Sequence, residues 1–242
     1  MSAVISAARQ HELNIGAAAS THLAECLAVD FATLLQTAAR MPVAVVQRMR
    51  DAAGKGITQR MALAAALLRE AGQGNASHWQ SHSSDTVRGW ACYLIGSDTT
   101  LALADKLQAL RPLADDVHFG VREWAWLAVR ADLVAAALQL LLPWVDEASP
   151  YLRRFACEAL RPRGVWATHI TVLKQQPQHA LPLLDALAND RERYVQDSVG
   201  NWLNDASKTQ PAWVRDVCAR WQREHSSAAN AYICKRAQRS LR

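Results

Sequence analysis

Tyr151-Leu-Arg-Arg-Phe-Ala-Cys-Glu-Ala-Leu-Arg-Pro-Arg-Gly-Val-Trp166 holds four arginines, one carboxylate and one tryptophan in sixteen residues. Leu152, Phe155, Ala156 and Ala159 recur at helical spacing, so its first part reads as an amphipathic helix with Glu158 near the end. Pro162 stops that helix, because it lacks the amide hydrogen and its ring clashes with the preceding turn. Trp166 then follows an Arg-Pro-Arg-Gly turn, which would present it at a surface.

Working outward, the pattern of this helix recurs. With Val87, Val121, Leu152, Val195 and Ile233 in register, the fourth residue on is Ala91, Ala125, Ala156, Val199 and Ala237, and the eighth is Ile95, Val129, Leu160, Leu203 and Leu241. Arg88, Arg122 and Arg153 directly follow the first three anchors. Intervals of 34, 31, 43 and 38 residues between anchors leave room for one helix pair per unit. That spacing predicts an all-α fold, a right-handed α-solenoid of HEAT-like helical repeats in which small residues let neighbouring helices approach. Composition agrees: Gly and Pro are few, Ala and Leu are plentiful, and no sustained strand-like alternation competes.

Before the repeats, residues 1–12 show no clear cap or period and are expected to form a flexible N-terminus, with a single repeat domain from residue 13 to 242. Leu23, Leu27, Phe31, Leu34 and Leu35 have helical spacing, with Ser20 or Thr21 as the cap ahead of Glu25. A helix is expected at 57–70, and 72–84 is the longest candidate loop.

Several functional classes are disfavoured. The apolar run Leu133–Leu142 contains Gln139 and is shorter than the roughly 18 residues of a membrane span. Arg9, His11 and Glu12 stand where a secretory signal needs its apolar centre, so neither export nor membrane attachment is expected. Cys26, Cys92, Cys157, Cys218 and Cys234 are scattered and odd in number, which favours reduced core thiols in a cytoplasmic protein. The histidines show no metal-ligand spacing, and no phosphate-cradling Gly-rich loop or nucleophile elbow occurs. Charge is uneven: residues 150–242 carry 15 basic and 8 acidic side chains, whereas residues 1–149 carry 12 and 14. A local basic surface of that kind attracts phosphate backbones.

Glu123, Glu158 and Asp205 fall on or near equivalent helices of successive units, at different offsets from their anchors, so they are not one repeated packing position. Arginines on such helices also serve packing between repeats, a reading that weighs equally for Arg88 and Arg122. Arg153, Arg154, Arg161 and Arg163 resist it, because four arginines in eleven residues are internal only with many buried partners.

At these residues the chain resembles a known family. Arg153-Arg154, Glu158, Arg161-Pro162-Arg163 and Trp166, followed by Val199-Gly-Asn-Trp-Leu-Asn-Asp205, are similar to the AlkC branch of the HEAT-like DNA alkylation repair proteins. Leu13-Asn-x-Gly16, the run from Thr21 to Asp30, and Tyr232 to Leu241 extend the resemblance over most of the chain. It implies a bacterial, monofunctional DNA glycosylase that excises positively charged N-alkylated bases such as 3-methyladenine and, in this branch, 3-methylcytosine. It assigns Glu123, Glu158, Trp166 and Asp205 to the active site, with no cofactor and no metal. Arg88, Arg153, Arg154, Arg161, Arg163, Lys208, Lys235 and Arg236 are the candidate DNA contacts. The expected partner is double-stranded DNA carrying alkylated bases, bound by a monomer, with no immunoglobulin-like module after the last repeat. Two other readings stay open: a non-catalytic binder of damaged or branched DNA, and a protein-binding scaffold.

Overall fold

The computed structural model describes residues 5–130, 137–164 and 166–241. Among them every regular element is helical, in two compact units, 1–129 and 130–242, each described by itself. The first unit holds α1 (Ala7–Asn14), α2 (Leu23–Ala28), α3 (Phe31–Ala38), α4 (Val43–Asp51), α5 (Ile57–Glu70), α6 (Asp85–Gly96), α7 (Leu103–Ala114) and α8 (Phe119–Val129). The second holds α9 (Ala137–Leu141), α10 (Pro150–Ala159), α11 (Thr171–Gln175), α12 (Leu181–Ala186), α13 (Arg193–Ser207), α14 (Pro211–Glu224) and α15 (Ala228–Ala237).

The repeat register read from the sequence is the register of the core. All five anchors are buried, as are all five residues four positions on and, of those eight positions on, all but Leu241. The anchors lie on α6, α8, α10, α13 and α15. In the first unit α6 packs on α8 as well as on α7, and in the second α13 packs on α10 and on α15. Small side chains make the stacking possible. At Gly96, at the end of α6, an added Cβ would fall 2.3 Å from the carbonyl oxygen of Ala128 on α8, so nothing larger than glycine fits without parting the two helices.

The N-terminal segment differs from its reading. Residues 7–14 form α1, capped by the Ser6 hydroxyl, which accepts from the Arg9 amide at 3.2 Å. Arg9 then donates to both carboxylate oxygens of Glu25, each at 2.9 Å, and to the Ala19 carbonyl at 2.7 Å. These bonds from Arg9, with two from Thr21 and against the effect of burial, hold the Glu25 carboxyl down at about 2. Ser20 caps no helix: its amide and hydroxyl both donate to buried Asp85, the first residue of α6, at 2.9 and 2.8 Å. The cap of α2 is His22, whose Nδ1 accepts from the Glu25 amide. The expected single helix through Leu23 and Leu35 is broken at Asp30, whose carboxylate accepts from the amides of Ala32 and Thr33 and starts α3 afresh.

In the second unit Ser149 caps α10, with Pro150 in the first turn. Of the run Leu133–Leu142, residues 133–136 lie outside the described residues, and α9 begins at Ala137. All five cysteines are buried and free. No helix among the described residues is long and apolar enough to cross a membrane. Trp90, Trp202 and Trp221 are fully buried, whereas Trp166 is 51% exposed, at the surface where its turn was expected to put it.

Candidate active site

The arginines after the first three repeat anchors all do the same job. Arg88 donates to the carbonyls of His82 (2.7 Å) and Ser83 (3.1 Å), Arg122 to those of Asp116 (2.7 Å) and Val117 (2.9 Å), and Arg153 to those of Glu147 (2.8 Å) and Ala148 (2.9 Å). The acceptors always lie six and five residues before the arginine, in the turn leading into its own helix. Gln196 keeps half of the pattern, donating to the Asp190 carbonyl at 2.8 Å. Arg88 also pairs with Asp116 at 2.9 Å and Arg153 with Asp190 at 2.6 Å, and each aspartate accepts an amide just ahead of the next inner helix, from His118 and Glu192. The rigid guanidinium fork thus fastens one repeat to the next.

Arg88 and Arg153, expected as DNA contacts, are engaged in these bonds between and within repeats. Arg153 has its buried carboxylate partner in Asp190. Arg153→Gln should cost about 3 kcal/mol of unfolding free energy, because Asp190 is left buried and unpaired. The salt dependence of DNA affinity should not change. Denaturant melts and binding titrations over a range of salt check this. A slope reduced by about one at unchanged stability would restore the phosphate-contact role.

Arg161 has a different neighbourhood. Just beyond the end of α10, it donates to Glu158 at 2.6 Å through Nη1 and to Asp205 at 2.9 and 2.7 Å through Nε and Nη2. One guanidinium thus joins two carboxylates that are only 3% and 4% exposed, one from α10 and one from α13. The Ser198 hydroxyl donates to the other Glu158 oxygen at 2.6 Å, Arg154 approaches it at 3.6 Å, and Lys208 stands 3.3 Å from Asp205. Burial opposes ionisation of Glu158, but Arg154, Arg161 and Ser198 outweigh it and hold the carboxyl below the usual carboxylate range. Burial likewise works against the Arg161 cation, and the two carboxylates overcome it. The product is a buried cluster of two carboxylates bridged by one guanidinium. Arg154 also lies over the Tyr194 ring, 4.4 Å from its centroid.

A residue absent from the sequence reading supports this arrangement. Arg130 is buried and donates to three backbone carbonyls, of Ala159 (2.9 Å), Arg161 (2.6 Å) and Thr168 (3.0 Å). Burial first, and then the nearby Arg161 cation, push its pKa down to about 10. It draws both ends of the Leu160–Thr168 loop together. Gly164 lies against its guanidinium, where an added Cβ would come within 2.9 Å of the central carbon. In the same loop Trp166 has φ of +58°, a conformation that an aromatic residue holds only when the surroundings impose it. Five residues of chain keep Trp166 within about 17 Å of Arg161. The signal for Arg130 in the sequence was slight, since its partners are carbonyls and not charged side chains; Gly164 was the visible half of the contact.

The other expected residues are placed as follows. Glu123 is on α8, in the first unit, and accepts from the Trp126 indole at 3.0 Å. Arg163 is partly buried, and its Nε has no hydrogen-bond partner among the described residues. Lys235 is exposed on α15. Arg236, on the same helix, donates to Asn201 at 3.0 Å and pairs with Asp197 at 3.3 Å. No group of three or more His, Cys, Asp or Glu side chains suited to a metal ion occurs among the described residues.

Residues 119–240, from α8 to the end of α15, match the sequence model of the DNA alkylation repair enzyme family. The chain belongs to this family. The family segment includes Glu123, Glu158, Trp166 and Asp205, and also the Arg161 bridge. YhaZ of Bacillus subtilis (strain 168), described as uncharacterized, is 41% identical over 101 residues, which is 42% of this chain and 28% of that protein. Among solved structures, the Pseudomonas fluorescens alkylpurine DNA glycosylase AlkC, bound to DNA containing an abasic site analog, matches with a TM-score of 0.67 at 22% identity over 87% of this chain and 61% of that one. AlkD2 from Streptococcus mutans matches with a TM-score of 0.63 at 22% identity over 82% of this chain and 97% of its own. The fold is thus the HEAT-like helical repeat of these proteins. The chain spans 28% of YhaZ and 61% of AlkC.

Proposed function

We propose that the protein is a monofunctional DNA glycosylase that removes N3-alkylated, positively charged bases such as 3-methyladenine, with 3-methylcytosine as a second substrate. The observation that carries this is the pair of buried carboxylates, Glu158 and Asp205, joined by Arg161 at one end of the Trp166 loop. The AlkC neighbour, bound to DNA containing an abasic site analog, supports it through the shared fold.

An N3-alkylated base already carries the positive charge that makes it a good leaving group. The C1′–N bond breaks with its electron pair going to the base, which departs neutral, and positive charge develops on the sugar. A fixed carboxylate beside that sugar stabilises the charge more in the transition state than in the ground state. Water adds its oxygen to C1′, and its proton passes to a carboxylate acting as base. Asp205, reached by a flexible lysine on its outer oxygen, suits the role nearer the substrate. Glu158, enclosed by Ser198, Arg154 and Arg161, suits the role of fixing Arg161 and the local field. Trp166, half exposed, provides a face for the cationic base or the sugar, worth about 0.5–2 kcal/mol as a cation–π contact. Arg154 and Arg163 with Lys208, Lys235 and Arg236 form the proposed phosphate-binding set, and a monomer suffices.

A duplex containing one 3-methyl-2′-deoxycytidine tests the reading. The protein should generate an abasic site at that position, seen as a strand break only after alkali. A break before alkali would show a lyase activity that this reading does not contain. An unbroken strand after alkali would remove 3-methylcytosine as a substrate.

A further inference from the structure

The C-terminal end of the second unit holds a cationic group that the carboxylate cluster does not use. Arg236 on α15 and Arg239 just beyond it both donate to the side-chain oxygen of Asn201 on α13, at 3.0 and 3.1 Å. Two guanidiniums thus converge on one neutral amide oxygen. The carboxylate nearby, Asp197, accepts the Tyr232 hydroxyl at 2.6 Å and pairs with Arg236 at 3.3 Å. Arg239 is exposed, has no acidic partner among the described residues, and is anchored otherwise by the Arg236 carbonyl at 2.8 Å.

The position of Asn201 gives this group its meaning. Asn201 and Asp205 stand four residues apart on α13, on one face and one turn from each other. An anion held by the two arginines at Asn201 would thus lie about one helical turn from the position of Asp205 along α13.

We propose that Asn201, Arg236 and Arg239 form a phosphate clamp that seats one phosphodiester adjoining the reacting nucleotide and so brings its sugar to Asp205. This rests on the glycosylase reading above and adds Asn201 and Arg239 to it. Asn201 orients the two forks, and the phosphate provides the two acceptor oxygens that a bidentate guanidinium contact needs. The contact is to backbone, so it positions without reading sequence.

The test uses duplexes with an abasic-site analogue and a single neutral methylphosphonate placed in turn at each phosphodiester around it. Wild-type affinity should fall about tenfold at one position flanking the analogue. In Arg239→Gln that position should become nearly neutral while the penalties elsewhere persist, and the salt slope should drop by about one. Arg239→Lys should recover the slope but only part of the tenfold effect, because a point charge replaces a fork. A penalty at the flanking position that is undiminished in Arg239→Gln overturns the clamp and leaves the glycosylase reading standing. Failure of the wild-type protein to bind the duplex overturns both.

Discussion

Asp205→Asn should lower the single-turnover rate of base release from N3-alkylated DNA by roughly 10²–10⁴-fold, the range for losing a positioned carboxylate that acts as base or stabilises developing charge. The substitution keeps the shape of the side chain and one acceptor oxygen for Arg161. It removes the negative charge and basicity on which the proposal depends. Arg161 remains paired with Glu158 at 2.6 Å, so its cation is not left uncompensated, and the stability loss should stay well under the 3–5 kcal/mol typical of an orphaned buried charge. Affinity for abasic-site DNA should change little. Rapid-quench measurements beside a thermal melt make the distinction. A rate within a few-fold of wild type would remove Asp205 from the chemistry and leave it an anchor for Arg161.

The largest effect on the fold around the site is expected from Arg130→Met. The carbonyls of Ala159, Arg161 and Thr168 lose their donor together, and an unsatisfied buried polar group costs about 1–3 kcal/mol. Water entering beside Gly164 would recover part of this, so a net loss of roughly 3 kcal/mol is expected. Base release should fall with it, because the loop that carries Arg161 and Trp166 is no longer closed at both ends. Hydrogen exchange localises the effect: amides of residues 160–170 should exchange faster in Arg130→Met, while those of α14 keep their protection until global unfolding. Uniformly faster exchange would make Arg130 a general stabiliser with no particular hold on the loop.

What the sequence revealed, and what it hid, follows from the range of the interactions. The repeat register was legible because each inner helix buries the same stripe, from Val87 to Ala91 and from Val195 to Val199, and periodic burial leaves a periodic trace. The exposure of Trp166 was legible because Pro162 and Gly164 are local signals. The separation of Arg153 from Arg161 was not. Both follow an apolar residue within one short stretch, and what distinguishes them is a partner 37 residues on, Asp190, or 44 residues on, Asp205. Arg130 was hidden for a related reason, since backbone carbonyls carry no residue identity. The fastening of α1 was missed because Arg9 and Glu25 are ordinary surface residues until their helices meet.

The most direct measurement is of the bases themselves. Genomic DNA treated with a methylating agent is incubated with the protein, and the ethanol-soluble fraction is resolved by chromatography. Release of free 3-methyladenine, abolished in Asp205→Asn, is the predicted result, and it would tie the activity to the Glu158, Arg161 and Asp205 cluster. No base release from DNA that the protein nevertheless binds would contradict the account, and would make this member of the family a reader of damaged DNA that does not cut the glycosidic bond.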